Sequence, residues 1–274
     1  MWEWDPTLFA GTATYYSRGR LPYAPGMSAA VRDALALNGH GRLLDVGCGP
    51  GPVALALAPL FEAVVGLDPD HAMLEEAAAH AAAVGVSTAT WVCLRAEELP
   101  ADLGTFRAAA FGQSFHWMRR SQVAAAIFAM LETRGAFLHV NQEPCHEAHA
   151  YAGTPPPYDR ITRLIRSYLG DVRRAGQGLL PRGTPGDEGT VIESAGFGKE
   201  RTVRLPGGES VVRTVEDIIA WVLSRSDSAP HLFGDRLPQF QQDLLHLLRQ
   251  AALGDAFRER QPDTVLRIWL KPRL

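Results

Sequence analysis

Through the first half of the chain, short apolar runs alternate with stretches whose apolar positions recur at helical spacing. Residues 42–46, 63–67, 88–92, 106–111 and 136–140 are compact runs with the pattern of short strands, most of them near-continuously apolar as in strands buried on both faces. Between them, residues 53–60, 71–83 and 121–131 read as helices, with Met73 and Leu74 on the second. Strands separated by helices of this length predict a parallel sheet with right-handed crossovers. The rhythm breaks after Val140. Residues 144–199 carry Pro155, Pro156 and Pro157, many glycines, and one amphipathic helix in which Ile161, Leu164, Ile165 and Tyr168 share a face. Residues 202–205 read as a sixth strand, 215–223 and 237–253 as helices, and 265–270 as a closing strand. The expectation is one domain over residues 1–274, with an N-terminal arm and helix at 1–40 and a cap segment at 144–199 inserted between the fifth and sixth strands.

Composition sharpens this picture. The 274 residues are 46% hydrophobic and 21% charged, enough apolar surface for a sizeable core. The formal net charge of -3 argues against a general nucleic-acid binder. Three cysteines, Cys48, Cys93 and Cys145, form no disulfide framework and fit a reduced, cytoplasmic setting. The opening residues lack the basic start of a secretion signal, and the longest charge-poor run is too short to span a bilayer.

The chemistry concentrates at Leu43-Leu-Asp-Val-Gly-Cys-Gly-Pro-Gly51, where a strand feeds a glycine turn that opens a helix. Glycine permits positive φ and close approach of a ligand, and the helix start offers free N–H donors. About 20 residues on, Asp68 ends the second strand, where an acid can hold both hydroxyls of a ribose. Gly49 through Ala54 formally satisfies the dinucleotide pattern. Asp45, at the end of the first strand, disfavours a pyrophosphate there and suits a ligand carrying an ammonium and a sulfonium. No Gly-Lys-Ser/Thr follows, which excludes the phosphate loop of ATP and GTP enzymes.

Together with Val65-Gly-Leu-Asp-Pro69, Arg95-Ala-Glu-Glu-Leu-Pro100 and Phe111-Gly-Gln-Ser-Phe-His-Trp117, this segment resembles the successive motifs of class I S-adenosylmethionine-dependent methyltransferases. It is similar in particular to the bacterial small-molecule type of ubiquinone/menaquinone biosynthesis and trans-aconitate methylation. Residues 9–20 resemble that group's N-terminal arm. The resemblance covers roughly residues 9–140 and the closing strand, and it specifies cofactor and fold but not acceptor. It implies a Rossmann-like α/β fold: a seven-stranded, mostly parallel sheet whose last strand runs antiparallel. It implies that Gly47, Cys48 and Gly49 line the cofactor's methionine and ribose, and that Asp45 orients its amino group. Asp68 would bind the ribose hydroxyls, Pro69 and Met73 would flank the adenine, and Ala96 and Glu97 would meet its edge. Ser114 would lie beside the methionine part, and Tyr16 and Arg20 would close over cofactor and acceptor.

Methyl transfer from a sulfonium is an in-line displacement in which positioning does most of the work. His116 is the candidate general base, its alternative being a wall of the pocket shared with Trp117. Tyr16 and Glu143 are the other candidate catalytic groups, Glu143 because it follows a strand's carboxyl end, where an exposed loop acid is equally expected. Tyr15 and Tyr23 are pocket aromatics or ordinary packing. Cys145, His146 and His149 read as a solvated loop, so no metal is expected. Residues 151–182 hold six arginines against two aspartates, so an anionic acceptor drawn by Arg173 and Arg174 stands beside the simpler reading of a solvated helix face. The expected function is S-adenosylmethionine-dependent methyl transfer to a small molecule, leaving S-adenosylhomocysteine. The alternatives are an NAD(P)-dependent oxidoreductase, a non-catalytic cofactor-binding protein, and a methyltransferase acting on RNA or protein.

Overall fold

The computed structural model describes residues 5–143, 153–171, 186–208 and 210–273. Its centre is a seven-stranded sheet. The strands are β1 (Arg42–Val46), β2 (Ala63–Asp68), β3 (Ala89–Cys93), β4 (Phe106–Gly112), β5 (Leu131–Glu143), β6 (Arg201–Leu205) and β9 (Asp263–Leu270). They lie in the order β3-β2-β1-β4-β5-β9-β6. β9 runs antiparallel to both neighbours, with Leu138 opposite Ile268 and Val203 opposite Leu266. The remaining neighbours in the sheet are parallel. The expected mostly parallel sheet with an antiparallel last strand is what forms.

Alternate residues of the central strands feed two cores, as the pleat requires. Leu43, Ala108, Leu138 and Ile268 face α2 (Met27–Leu35) and α3 (Pro52–Leu57). Leu44, Ala109, Phe137 and Trp269 face α5 (Arg120–Met130) and α7 (Glu188–Ser194). α4 (His71–Ala83) packs on β2 and β3, and its first turn is capped by Asp70, whose Oδ1 accepts from the Ala72 N–H at 2.9 Å. The crossover directions diverge between β1 and β4, which opens a crevice at the carboxyl ends of those strands.

A separate core gathers the rest. α6 (Tyr158–Leu169) contributes Ile161 and Ile165, α8 (Val215–Leu223) contributes Ile218 and Val222, and α9 (Leu237–Ala251) contributes Phe240, Leu244 and Leu248. A two-stranded antiparallel sheet of β7 (Ser210–Thr214) and β8 (Ala256–Arg260) closes it, with Phe257 turned inward. The lobe over the sheet is therefore built from α6 and from residues 210–260. The described part of 144–199 divides between two cores, because Ile192 of α7 is buried against the sheet while α6 is buried with α8 and α9.

α1 (Ala13–Gly19) joins this lobe to the sheet. It crosses α8 so closely that a Cβ on Gly19 would lie 2.5 Å from the backbone of Ala220 and Trp221. Arg213, almost fully buried, fastens the same crossing. It donates to the carbonyls of Gly19 and Asp217 at 2.8 and 3.0 Å and pairs with Glu259 at 2.6 Å. Among the described residues, no helix is long and apolar enough to cross a membrane.

Candidate functional site

The glycine turn after β1 takes its shape from glycines that stand at positive φ: Gly47 at 67°, Gly49 at 52° and Gly51 at 83°. Gly51 caps α3 and Pro52 occupies its first turn, a position that needs no N–H donor. A side chain on Gly47 would meet Ser114 Cβ at 2.7 Å, whereas one on Gly49 would meet nothing within 4 Å, because that position faces open space.

Asp68, at the end of β2, holds this turn from outside. Its two oxygens accept from the N–H groups of Gly49 and Asp70, each at 2.9 Å. Burial pushes its carboxyl up to about 6, against the pull of those two bonds. Asp45, behind the turn, is 1% exposed. One of its oxygens accepts from Ala54 N–H at 2.9 Å; the other is buried with no hydrogen-bond partner among the described residues. Burial raises Asp45 to about 7, and the charge of Asp68 adds to the shift.

These elements wall a cavity of about 350 Å³ at the carboxyl edge of β1, β2 and β4, within the range of about 300–1,000 Å³ usual for small-molecule sites. Of the residues expected to bind cofactor, Tyr16, Gly47, Gly49, Asp68, Pro69, Met73, Ala96, Glu97 and Ser114 line it. The N-terminal arm roofs it with Asp5, Pro6, Leu8 and Phe9, and the Phe9 ring meets the Trp117 edge at 5.4 Å between centroids. The charged groups of the lining are Asp5, Asp68, Asp70, Glu97 and Glu98 against the single Arg95. A site so acidic favours a ligand that carries positive charge and opposes a diphosphate.

Other expected site residues stand elsewhere. Cys48 is buried beneath the turn, its Sγ 3.5 Å from the Gly49 carbonyl. Arg20 stacks on the Tyr16 ring at 5.0 Å and donates to the Ser224 carbonyl at 3.0 Å, so it backs Tyr16 and does not line the cavity. His116 also lies off the cavity, against Trp117 and close to Arg120; burial and that guanidinium lower it to about 4. Glu143 is engaged by Arg204 at 2.5 Å and Arg267 at 2.9 Å. Both carboxylate oxygens are thus taken by guanidiniums from β6 and β9, so its expected catalytic part is not carried forward. Arg173, Arg174, Cys145, His146 and His149 lie outside the described residues.

The cavity also recruits residues that sequence reasoning passed over: Asp5, Leu94, Arg95, Gln113 and Met118. Gln113 falls inside the recognisable segment 111–117, but its left-handed backbone, φ 52°, has no signal in a residue other than glycine.

A family model described as a methyltransferase domain matches residues 43–135, the stretch that carries the glycine turn, Asp68 and the fourth strand. The chain is thus similar to a methyltransferase domain over residues 43–135. Its fold is shared with the YcgJ protein of Bacillus subtilis, with a TM-score of 0.53 at 17% identity over 90% of this chain and 98% of that one. In sequence, the domain is 32% identical over 90 residues to an uncharacterized RNA methyltransferase of Thermosynechococcus vestitus. It is 35% identical over 78 residues to the mouse tRNA (uracil-5-)-methyltransferase homolog A. Those matches take in 33% and 28% of this chain but 20% and 13% of the two relatives, so the matched segments span a fifth or less of their length.

Proposed function

We propose that the protein transfers the methyl group of S-adenosylmethionine to a small-molecule acceptor. The observation that carries this reading is the acidic cavity beside the glycine turn, with Asp68 in its wall and a buried, half-unpartnered Asp45 behind. A nucleoside bearing an ammonium and a sulfonium fits those groups; a dinucleotide would set its diphosphate among carboxylates. Gly47, Gly49 and Ser114 would hold the amino-acid part, Asp68 the ribose, and Pro69, Met73, Ala96 and Glu97 the base.

The cofactor supplies an electrophilic methyl on a good leaving group. Transfer forms one bond from the acceptor's heteroatom to that carbon and breaks the carbon–sulfur bond, leaving a neutral thioether, with the acceptor's proton passing to solvent. The chain's task is to align the pair, which supplies roughly 7–11 kcal/mol of the barrier. The arm and Trp117 would cover the bound pair, and of the three candidate catalytic groups Tyr16 lines the cavity while His116 and Glu143 do not.

An RNA acceptor is favoured by the names of the two curated relatives. Against it stand the net charge of -3 and the acidic cavity. Calorimetry tests the central reading: S-adenosylmethionine and S-adenosylhomocysteine should bind, and NAD should not. Tight NAD binding with no response to the nucleosides would overturn it, and a non-catalytic binder would bind without ever turning over. Retention of tRNA on a filter at physiological salt would favour the RNA acceptor.

A further inference from the structure

Two amide side chains and one hydroxyl hold the strap 21–24, which joins α1 to α2, across the carboxyl ends of β4 and β5 and the amino end of β9. Gln142 donates to the carbonyls of Leu21 and Pro22 at 3.1 and 2.9 Å. Gln261 donates to those of Pro22 and Tyr23 at 2.9 and 3.1 Å. Thr264 accepts from Ala24 N–H at 2.7 Å. The strap sets the Tyr23 hydroxyl 3.0 Å from where a Gly112 Cβ would stand, beside the Gln113 side chain. Gln113 lines the cavity between Gly112 and Ser114. Its Nε2 donates to Gln142 Oε1 at 3.2 Å, and its backbone, held at φ 52°, is tied to the Val140 carbonyl at 3.0 Å. A left-handed glutamine costs of order 1 kcal/mol or more, and such strain persists where surroundings enforce it.

The amide nitrogen of Gln113 thus donates to Gln142, while no hydrogen bond to its Oε1 exists among the described residues. We propose that this carbonyl oxygen orients the methyl acceptor by accepting a hydrogen bond from an uncharged hydroxyl on it, an alcohol or phenol. The inference rests on the methyl-transfer reading and names its substrate class. A carboxylate acceptor has no proton to donate to Gln113 and would be set beside a lining rich in acids. Arg95, the guanidinium of the lining, is paired with Glu97 at 3.7 Å, and Arg20 is turned to the Ser224 carbonyl behind Tyr16. Tyr23 and Gln142 are positioning residues that fix which way the Gln113 amide faces.

The test uses saturation-transfer NMR on the full chain saturated with S-adenosylhomocysteine. The probes are matched pairs: p-cresol with 4-methylanisole, and cyclohexanol with methoxycyclohexane. Wild type should prefer the hydroxyl member of each pair by about tenfold, because a site that hydrogen-bonds an O–H rejects the analogue lacking it. Gln113→Met should erase the preference while far-ultraviolet circular dichroism stays that of wild type. Gln113→Asn, which tolerates positive φ, should do the same if the longer side chain strains the turn. Tyr23→Phe should weaken the preference without abolishing it. Equal binding within both pairs by wild type, a preference that survives both Gln113 variants, or tighter binding of 4-methylbenzoate than of p-cresol overturns the inference. Failure of wild type to bind S-adenosylhomocysteine removes the methyl-transfer reading itself; binding it without a hydroxyl preference removes only this assignment.

Discussion

The cofactor side of the sheet and the lobe that covers it solve the same problem in opposite ways. Around the cavity, the deciding contacts are close in sequence: Asp68 bonds Asp70 and Gly49, and Asp45 bonds Ala54. In the lobe, the deciding contacts are remote. Arg213 reaches Gly19 and Glu259, Tyr158 bonds Glu259, and α6 is buried on α9. One region is a local device set on a rigid sheet, and the other exists only once distant segments have met. Damage to the first should therefore show as lost ligand affinity, and damage to the second as lost stability.

The largest effect that can break this contrast is in the lobe. Arg213→Met removes a buried cation from Glu259 and leaves two backbone carbonyls and a carboxylate without it. Losing one partner of a buried pair costs about 3–5 kcal/mol. Thermal or urea unfolding should show that loss, with a separate early transition for the lobe where the sheet holds. An unfolding curve like that of wild type would mean the crossing of α1 and α8 is fastened elsewhere.

Next is Asp68→Ala on the cofactor side. The substitution strips two backbone N–H groups of their acceptor at the cavity wall, where water can take its place, and it relieves a carboxylate whose burial opposes its charge. Affinity for S-adenosylhomocysteine should fall by about 100-fold, or about 2.7 kcal/mol, while far-ultraviolet circular dichroism and the unfolding midpoint change little. A fall in stability comparable to that of Arg213→Met would erase the distinction between the two regions.

This distinction also governs how much the sequence discloses. β1, α4 and α8 run as their patterns predict, and the glycine turn with Asp68 is readable because its parts are neighbours in the chain. β7 is not readable: Val212 on it is 50% exposed and Arg213 is 5% exposed, so apolar faces out and charge faces in. α7 is short and buries one residue, Ile192, against the sheet. Glu143 shows why a strand-end acid is ambiguous. Its position marks it for the site, but Arg204 and Arg267 arrive from β6 and β9, and no local pattern announces them.

A smaller effect separates the two carboxylates inside the cofactor region. Folding raises Asp45 from 3.8 to about 7, so its ionised form is disfavoured in the free protein, and stability drains away as pH rises through that window. A cationic ligand reverses the balance, because the ammonium needs the ionised carboxylate. Affinity for S-adenosylmethionine should therefore rise as pH goes from 5.5 to 7.5, by up to about tenfold per unit while Asp45 remains mostly protonated. Asp45→Asn should flatten that profile. Calorimetry in buffers of different ionisation heat would count the proton released on binding; none released by wild type would dissociate Asp45 from the ligand.

The smallest effect belongs to His116, and it discriminates most finely because the residue sits next to the cavity wall without joining it. Burial and Arg120 hold it near 4, so it is neutral at neutral pH, and it is not among the residues that line the cavity. His116→Gln should leave kcat within about twofold and the pH–rate profile above pH 5 unchanged, since a group outside hydrogen-bond reach of the acceptor moves no proton. The same change should be visible in stability instead. A histidine whose folded value lies below its ordinary 6.5 lends stability that is present above that value and lost as pH falls toward 4. His139, fully buried on β5 and lowered to about 3 by burial with His116 and Arg267 beside it, has the same sign. Removing His116 should make the acid limb of the unfolding midpoint shallower while His139 keeps part of the slope. A shift in the rate profile with no change in that limb would move His116 from the scaffold to the chemistry.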